Sequence, residues 1–376
     1  MVHNWIEDIN KFRDVSNDWD KALIASDNYN PFLLSDFLIT WWKYYSKGHR
    51  LAIFVLYEKG SIIGGIPLYI RKSSIRTGFA NVLFYVGDVA ANHTEPFFAS
   101  KKESFLHVLT EALAQRKDWD ALHLKNVRSG NRMLSEHKNN AFLNKFSIYE
   151  IQDHFDWSID ISMGKGEYLA FVSKKLKRDL RSKRRFATKN YGEISLKQMK
   201  GTEEIERLFD LYVKFSINAF ASRDVKSNFK NSEYCGFFKE FLALMEEKGR
   251  LYAHALLAGE KVLAISFAYR FGKGFKWILN AFDYEYRYVR PGYLLIEELI
   301  EKIEKLGETE YNWYGHERFY KTQWCNKKTP LSQFLIIDKT LAGQRYRARQ
   351  LVERALKSNK TARNLIRSLR KVTPTV

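Results

Sequence analysis

Residues 314–321 read YGHERFYK. This short run holds an imidazole and a carboxylate (His316, Glu317), two cations (Arg318, Lys321) and two phenols (Tyr314, Tyr320). A carboxylate or imidazole can take a proton from an acceptor amine or hydroxyl, and a phenol can return one to a leaving group. Ordinary loops draw on Ser, Asn, Asp and Gly instead. Asp283, which ends the apolar stretch 275–282, is a second candidate base of the same kind.

The residues that must position this run lie just upstream, in FKWILNAFDYEYRYVRPGYLLIEELI, 275–300. Residues 275–282 read as a strand. A helix starts near Pro291 and Gly292, with proline suited to the first turn. Leu294, Leu295, Leu299, Ile303 and Leu306 mark one helical face, and Gly307 stops it. A helix start presents free N–H groups and a positive dipole end. Arg287 and Arg290 reinforce it, so the turn is an anion site by geometry, with a cofactor phosphate as natural guest. The plain alternative is a Pro-Gly turn with no ligand. Residues 310–313 (EYNW) read as the next strand, parallel to the first, with the helix crossing between them. Both strands then open at one sheet edge, where open α/β sheets place ligands.

The same order of elements occurs twice. Residues 51–72 and 251–272 each read as an apolar hairpin, turning at 58–60 and 258–260. Residues 103–127 and 291–315 each read as an amphipathic helix leading into a strand. The expected fold is α/β (α+β), with mixed β-sheets flanked by helices. Its units are 1–160, 161–338 and a basic helical tail, 339–376. In the first unit the corresponding turn, VGDVAANHTEPFF at 86–98, has no Arg-Pro-Gly. His93, Thr94 and Glu95 there either touch an acceptor or form a plain polar loop.

With 376 residues, 45% apolar and 15% aromatic, the chain can build two sizeable cores. Two cysteines make no disulfide framework. No apolar run reaches signal-peptide or membrane-span length, so a cytoplasmic protein is expected. No metal is expected: the nine histidines are scattered and no Cys-x-x-Cys is present. The charge of +19 is concentrated. Residues 173–189 hold nine Lys/Arg against Asp179, and 339–376 hold eleven against Glu353. Such one-sided stretches call for anionic partners. The first reads as a helix capped by Ser173, with Leu176, Leu180 and Phe186 as its apolar face, lining a groove between the units. The tail reads as a basic amphipathic helix. Its stripe of Ala348, Leu351, Val352, Ala355 and Leu356 either docks on anionic lipid or packs back on the protein.

Several phrases carry a family resemblance: IIGGIPLYI, WDALHLKNV, SKKLKRDLRSKRRFATKNYGEI, AFDYEYRYVRPGYLL, and G-x-E-x-x-Y-K at Gly315, Glu317, Tyr320 and Lys321. The chain, from about residue 30 to 337, resembles the CelD-type tandem-GNAT acetyltransferases, relatives of the Fem-type aminoacyltransferases. The resemblance implies two GNAT-like units and an acyl-CoA-dependent N- or O-acyltransferase using acetyl-CoA or another acyl-CoA. It implies Arg287, Arg290, Gly292 and Tyr293 at the cofactor. The turn departs from the family loop in lacking its second small residue. For such acyl transfer the candidate bases are Asp283, Glu317 and His316, with Tyr320 near the thiolate and Lys321 for substrate or carboxylate binding. Lys177, Arg178 and Arg181 are expected at an anionic substrate. The expected acceptor is a small molecule or a lipid-linked envelope-polysaccharide precursor, met in the cytoplasm or at the inner membrane face. Two alternatives stand: a Fem-type transferase using aminoacyl-tRNA, and a non-catalytic membrane-surface or RNA-binding protein.

Overall fold

The computed structural model describes residues 1–72, 74, 77–88, 90–99, 102–128, 145–222, 225–272, 274–315 and 317–358. The first half carries strands β1 (Val2–Ile6), β2 (His49–Glu58), β3 (Ser61–Arg71), β4 (Val82–Tyr85), β5 (Phe97–Phe98) and β6 (Ala121–Arg128). Its helices are α1 (Ile9–Ala25), α2 (Ser35–Tyr45) and α3 (Lys102–Gln115). Then follow β7 (Ser147–Asp160), α4 (Lys165–Phe171), α5 (Lys174–Tyr191), β8 (Ile194–Met199), α6 (Thr202–Ala221) and α7 (Ser232–Glu247). The second half continues with β9 (Leu251–Ala258), β10 (Lys261–Arg270), β11 (Phe275–Phe282), α8 (Pro291–Lys305), β12 (Glu310–Asn312), α9 (Phe319–Trp324), β13 (Lys327–Ile337) and α10 (Leu341–Ser358).

The repeat is longer than the hairpin and helix–strand units reveal. β1-α1-α2-β2-β3-β4-α3-β6 is matched by β8-α6-α7-β9-β10-β11-α8-β12. The first hairpin turns at Lys59 and Gly60, both with positive φ, which matches the twist of the flanking strands. Two consecutive glycines of β3 show why helices pack closely on both sheet faces here. A Cβ on Gly64 would lie 2.9 Å from Phe105 Cδ2 of α3, and one on Gly65 would strike Trp19 of α1.

The expected pair of sheets is in fact one. Its order is β1-β2-β3-β4-β6-β13-β7-β12-β11-β10-β9-β8, with β5 beside β3. The cause is an exchange at the centre. The last strand, β13, pairs with β6 of the first half, while β7 pairs with β12 of the second and runs antiparallel to β13. Each half thus finishes its sheet with a strand from across the junction, and no free edge remains there. Helices α2 and α7 add a second bond between halves. Phe37 meets Phe237 and Phe241 with ring centroids 5.7 and 5.4 Å apart. Tyr44 Oη donates to Glu240 Oε2 at 2.9 Å.

The basic helix α5 corrects two expectations. Leu176 and Leu180 are buried, but Phe186 is exposed and Ala187 takes its place in the core. Its core is shared with α8, β9 and β10, together with Trp157 and Ile159 of β7, and its Lys177, Arg181 and Arg184 line an opening against α8 instead of a groove between the units. Tyr286 packs edge-on against Tyr191 at 5.2 Å, and Tyr288 against Phe186 at 5.6 Å. These tyrosines therefore face α5. On α8, Leu294, Leu295, Leu299 and Ile303 are buried as the period requires, while Leu306 lies past the helix end and is exposed.

Candidate functional site

β11 and β12 run parallel, but only for two pairs, Phe275↔Tyr311 and Lys276↔Asn312. Beyond them β12 ends, and β11 continues to Phe282 with its β12-side edge open. The strands part because Tyr314 and Gly315 both take positive φ and turn the chain away. A cavity of about 600 Å³ occupies the opening, within the ordinary range of small-molecule sites. Trp277, Asn280 and Phe282 of β11 line one wall, and Arg318, Phe319 and Tyr320 another.

The third wall is the start of α8. Arg290 stands in the left-handed region (φ 54°, ψ 53°) as the N-cap, without a side-chain cap bond. That conformation costs an L-residue roughly 1–2 kcal/mol, and it swings Pro291, Gly292 and Tyr293 against the cavity. Proline has no N–H to lose, and Tyr293 N and Leu294 N donate to Arg290 O at 2.9 and 3.2 Å, so the first turn keeps the Gly292 N–H as its donor without an intrahelical acceptor. A Cβ on Gly292 would meet nothing closer than Phe282 Cδ1 at 3.6 Å, so its lack of a side chain keeps the cradle open.

The two arginines sit at this end. Arg287 Nη1 donates to Tyr284 O at 3.2 Å and lies over the Tyr284 ring. Arg290 lies over the Tyr293 ring, with Nη1 3.1 Å from Asp179 Oδ2 in a charge contact not aligned as a hydrogen bond. Asp179, the one acid of the basic helix stretch, thereby fixes a cation at the cavity mouth.

The chemistry-bearing run divides sharply. Tyr320 lies in the cavity against Trp313 and Trp277, with centroids 5.8 and 6.1 Å away. Burial pushes its phenol well above the ordinary range, so it stays protonated and can donate. Lys321 is buried, and its Nζ donates to the carbonyls of Trp313 at 3.3 Å, Gly315 at 3.2 Å, and Tyr314. An ammonium has three donors, so the expected substrate contact is corrected: Lys321 clamps the turn after β12. Burial holds its pKa down at about 8. Glu317 is exposed, so the i,i+4 ion pair with Lys321 does not form. Asp283 Oδ1 accepts from Glu285 N at 3.0 Å as the cap of a short 3₁₀ turn, and Asp283 does not line the cavity. The two carboxylates are also not at level strand tips: Asp283 lies seven residues past Lys276, which is opposite Asn312. His316 lies outside the described residues.

The three expected substrate cations lie behind α8. Lys177 Nζ donates to Leu169 O at 2.9 Å. Lys177 and Arg181 line a second opening of about 450 Å³ with Arg184, which bridges Glu297 and Glu298, each at 2.7 Å. Arg178 is exposed and outside it. Neither opening joins these cations to the candidate bases.

Sequence reasoning missed a buried polar network beneath the site. His93 Nε2 lies 3.0 Å from Asp156 Oδ2, which also accepts from Asn312 Nδ2 at 3.0 Å. Arg128 Nη2 lies 3.2 Å from His93 Nδ1. Arginine cannot accept, so Nδ1 does, and the imidazole carries its one proton on Nε2. Burial would raise the Asp156 pKa, but His93, Asn312 and Arg128 together carry it below the ordinary value. Thr94 Oγ1 donates to Lys125 O, and Glu95 Oε1 accepts from Arg128 N at 3.0 Å. His93, Thr94 and Glu95 form a polar loop, and all three are buried. The edge of His93 meets the Tyr314 ring at 4.8 Å, so the network supports the turn that Lys321 clamps. Its one visible signal in sequence is Asp156 within the strand pattern FDWSI.

Residues 174–322 match the family model described as an acetyltransferase (GNAT) domain. That span contains every residue named above as lining the larger cavity. No curated protein sequence matches the chain. Among solved structures the chain is similar to FemX, at 12% identity over 90% of this chain and 97% of that one, with a TM-score of 0.60. It is also similar to a conserved protein of unknown function from Bacteroides thetaiotaomicron VPI-5482, at 14% identity, 90% and 100% coverage, and a TM-score of 0.54. A third likeness is to the C-terminal domain of a protein assigned as a lysylphosphatidylglycerol synthetase from Agrobacterium fabrum, at 11% identity, 89% and 95% coverage, and a TM-score of 0.54. At such identities the likeness is one of fold. The molecule is thus a mixed α/β protein in which residues 174–322 are similar to a GNAT acetyltransferase domain.

Proposed function

We propose that the C-terminal unit, residues 161–338, binds acyl-CoA and transfers its acyl group to an amine or hydroxyl. In this reading residues 1–160 form the N-terminal unit and 339–376 a basic tail. The observation that carries it is the open splay of β11 and β12, with the start of α8 at one wall and Tyr320 at another. Arg287, Arg290 and the Gly292 N–H at the positive end of α8 suit a diphosphate. The open edge of β11 suits an extended amide chain, and its N–H groups can polarise a thioester carbonyl. The acceptor nitrogen or oxygen attacks that carbonyl carbon, the C–S bond breaks, and a C–N or C–O bond forms. The acceptor proton goes to a base. The thiolate takes a proton from Tyr320, which regains one from solvent. Glu317 is the base we favour, since the Asp283 carboxylate is held in its cap. Much of the remaining rate comes from positioning.

The acceptor we favour is a sugar amine or hydroxyl of an envelope-polysaccharide precursor, free or lipid-linked at the inner membrane face, as CelD-type proteins suggest. The test is thermal shift of the full chain with acetyl-CoA, longer acyl-CoAs and tRNA side by side, followed by a thiol-release assay. A shift with at least one acyl-CoA, and thiol release with an acceptor, is expected. No acyl-CoA shift, with a tRNA shift that collapses in salt, replaces this reading with aminoacyl transfer from tRNA. No shift with any of them leaves a non-catalytic binding protein.

A further inference from the structure

Helix α10 is seated on the protein by one face only. Tyr346 is buried, and its hydroxyl lies 2.7 Å from His123 Nδ1. Gly343 is pressed so closely that a Cβ would lie 2.7 Å from Asp120 O and 2.8 Å from Asp338 O. Arg347 covers the Tyr149 ring, 4.0 Å from its centroid. The stripe that the sequence leaves open to lipid docking or to packing back on the protein is on the other side. Leu351, Val352 and Leu356 are 50%, 57% and 40% exposed, and Leu341 is 69% exposed. At 3.6 residues per turn, Leu341, Val352 and Leu351 project opposite Tyr346 and Gly343. Arg345 flanks that stripe on one side and Arg354 on the other, and both are exposed. The helix's one acid, Glu353, is held by Arg349 Nε at 3.0 Å.

A second feature lies beside it. The turn at 77–80 abuts α10, where a Cβ on Gly78 would be 3.7 Å from Arg349 Cδ and 3.8 Å from Arg345 O. The next residue, Phe79, is 60% exposed. Its φ is 64°, a left-handed conformation that is rare for a bulky side chain. Its N–H donates to Ser74 O at 2.8 Å, which fixes the turn. A strained backbone thus holds an aromatic ring in solvent next to an outward apolar stripe rimmed by arginines.

We propose that this face, Phe79 with Leu341, Leu351, Val352 and Leu356, docks on an anionic lipid surface. Apolar side chains enter the headgroup boundary while arginines on both sides meet lipid phosphates. A nucleic acid would use the arginines but not the leucines and valine. A second copy on a two-fold axis would bring arginine rims together. The proposal does not depend on the acyl-transfer reading.

The test is flotation of the full chain with vesicles of phosphatidylglycerol in phosphatidylcholine, beside vesicles of phosphatidylcholine alone. Binding to the anionic vesicles only, falling as salt is raised, is expected. Leu351→Glu with Val352→Glu should lower binding by at least about a hundredfold. Arg345→Glu should lower it by about fivefold or more. Val352→Trp should raise it, a gain that misfolding cannot mimic. The proposal is overturned if the wild type does not float, if the glutamate pair floats equally, or if sedimentation shows a dimer that Val352→Glu dissociates.

Discussion

The two halves place a pair of parallel strands at the same point of the repeat, yet the two openings differ. In the first half β4 and β6 pair through Val82↔Ala121, Leu83↔Leu122 and Phe84↔His123. The chain leaving β4 folds back on its own sheet, with Val86 N donating to Pro67 O at 2.8 Å. It then buries His93, Thr94 and Glu95 against Lys125, Arg128 and Asp156. In the second half the chain leaving β11 makes one 3₁₀ turn and enters α8 through Arg290, Pro291 and Gly292, leaving a cavity. A duplicated frame therefore supplies one opening filled by its own buried polar groups and one left as a cavity. The connection from third strand to helix makes the difference, because it decides whether the space at the strand ends is filled by the chain itself or left open.

The largest effect should come from breaking the closed side. Asp156→Ala leaves His93 Nε2 and Asn312 Nδ2 without their shared acceptor, and should cost about 3–5 kcal/mol in denaturant unfolding. Asp156→Asn, which keeps the shape, should cost less. If Asp156→Ala melts like wild type, the network is not what closes the first opening. Next, Gly292→Glu puts an acid into the open side without a steric clash. Calorimetry should find acyl-CoA binding weakened by about a hundredfold, since like charges brought together cost several kcal/mol. An unchanged affinity would show that the diphosphate sits elsewhere.

Smaller effects sharpen the comparison within the open site. Tyr320→Phe and Glu317→Gln should each lower kcat by at least about tenfold. Asp283→Asn, which keeps a capping oxygen, should leave turnover within about twofold. Loss of turnover in Asp283→Asn with none in Glu317→Gln would reverse the assignment of the base. The smallest effect concerns Lys321. Its folded pKa of about 8 lies below the ordinary 10.5, so the unfolded chain holds more protons between those values. Stability from this group therefore rises with pH across that window. Thermal melts from pH 8 to 10.5 should show the wild type gaining on Lys321→Met, and a gain toward lower pH would contradict the burial.

Much of this protein was written in local pattern. The hairpins at 51–72 and 251–272, the strand at 275–282 and the helix starting at Pro291 follow from apolar periodicity and turn residues, which act over a few positions. The start of α8 was legible because a proline at the first helical position acts locally. Contacts between distant segments were not legible. Which strand pairs with β6, that Lys321 spends its donors on the carbonyls of residues 313–315, and that His93 meets Asp156 all depend on chain parts far apart in sequence or on the depth of burial. The same holds for the two faces of α10. Its amphipathic period gave a stripe, but only packing decided that Tyr346 and Gly343 face the protein while Leu351 and Val352 face out. Sequence set which groups were available, and the sheet's central strand exchange set which of them found partners.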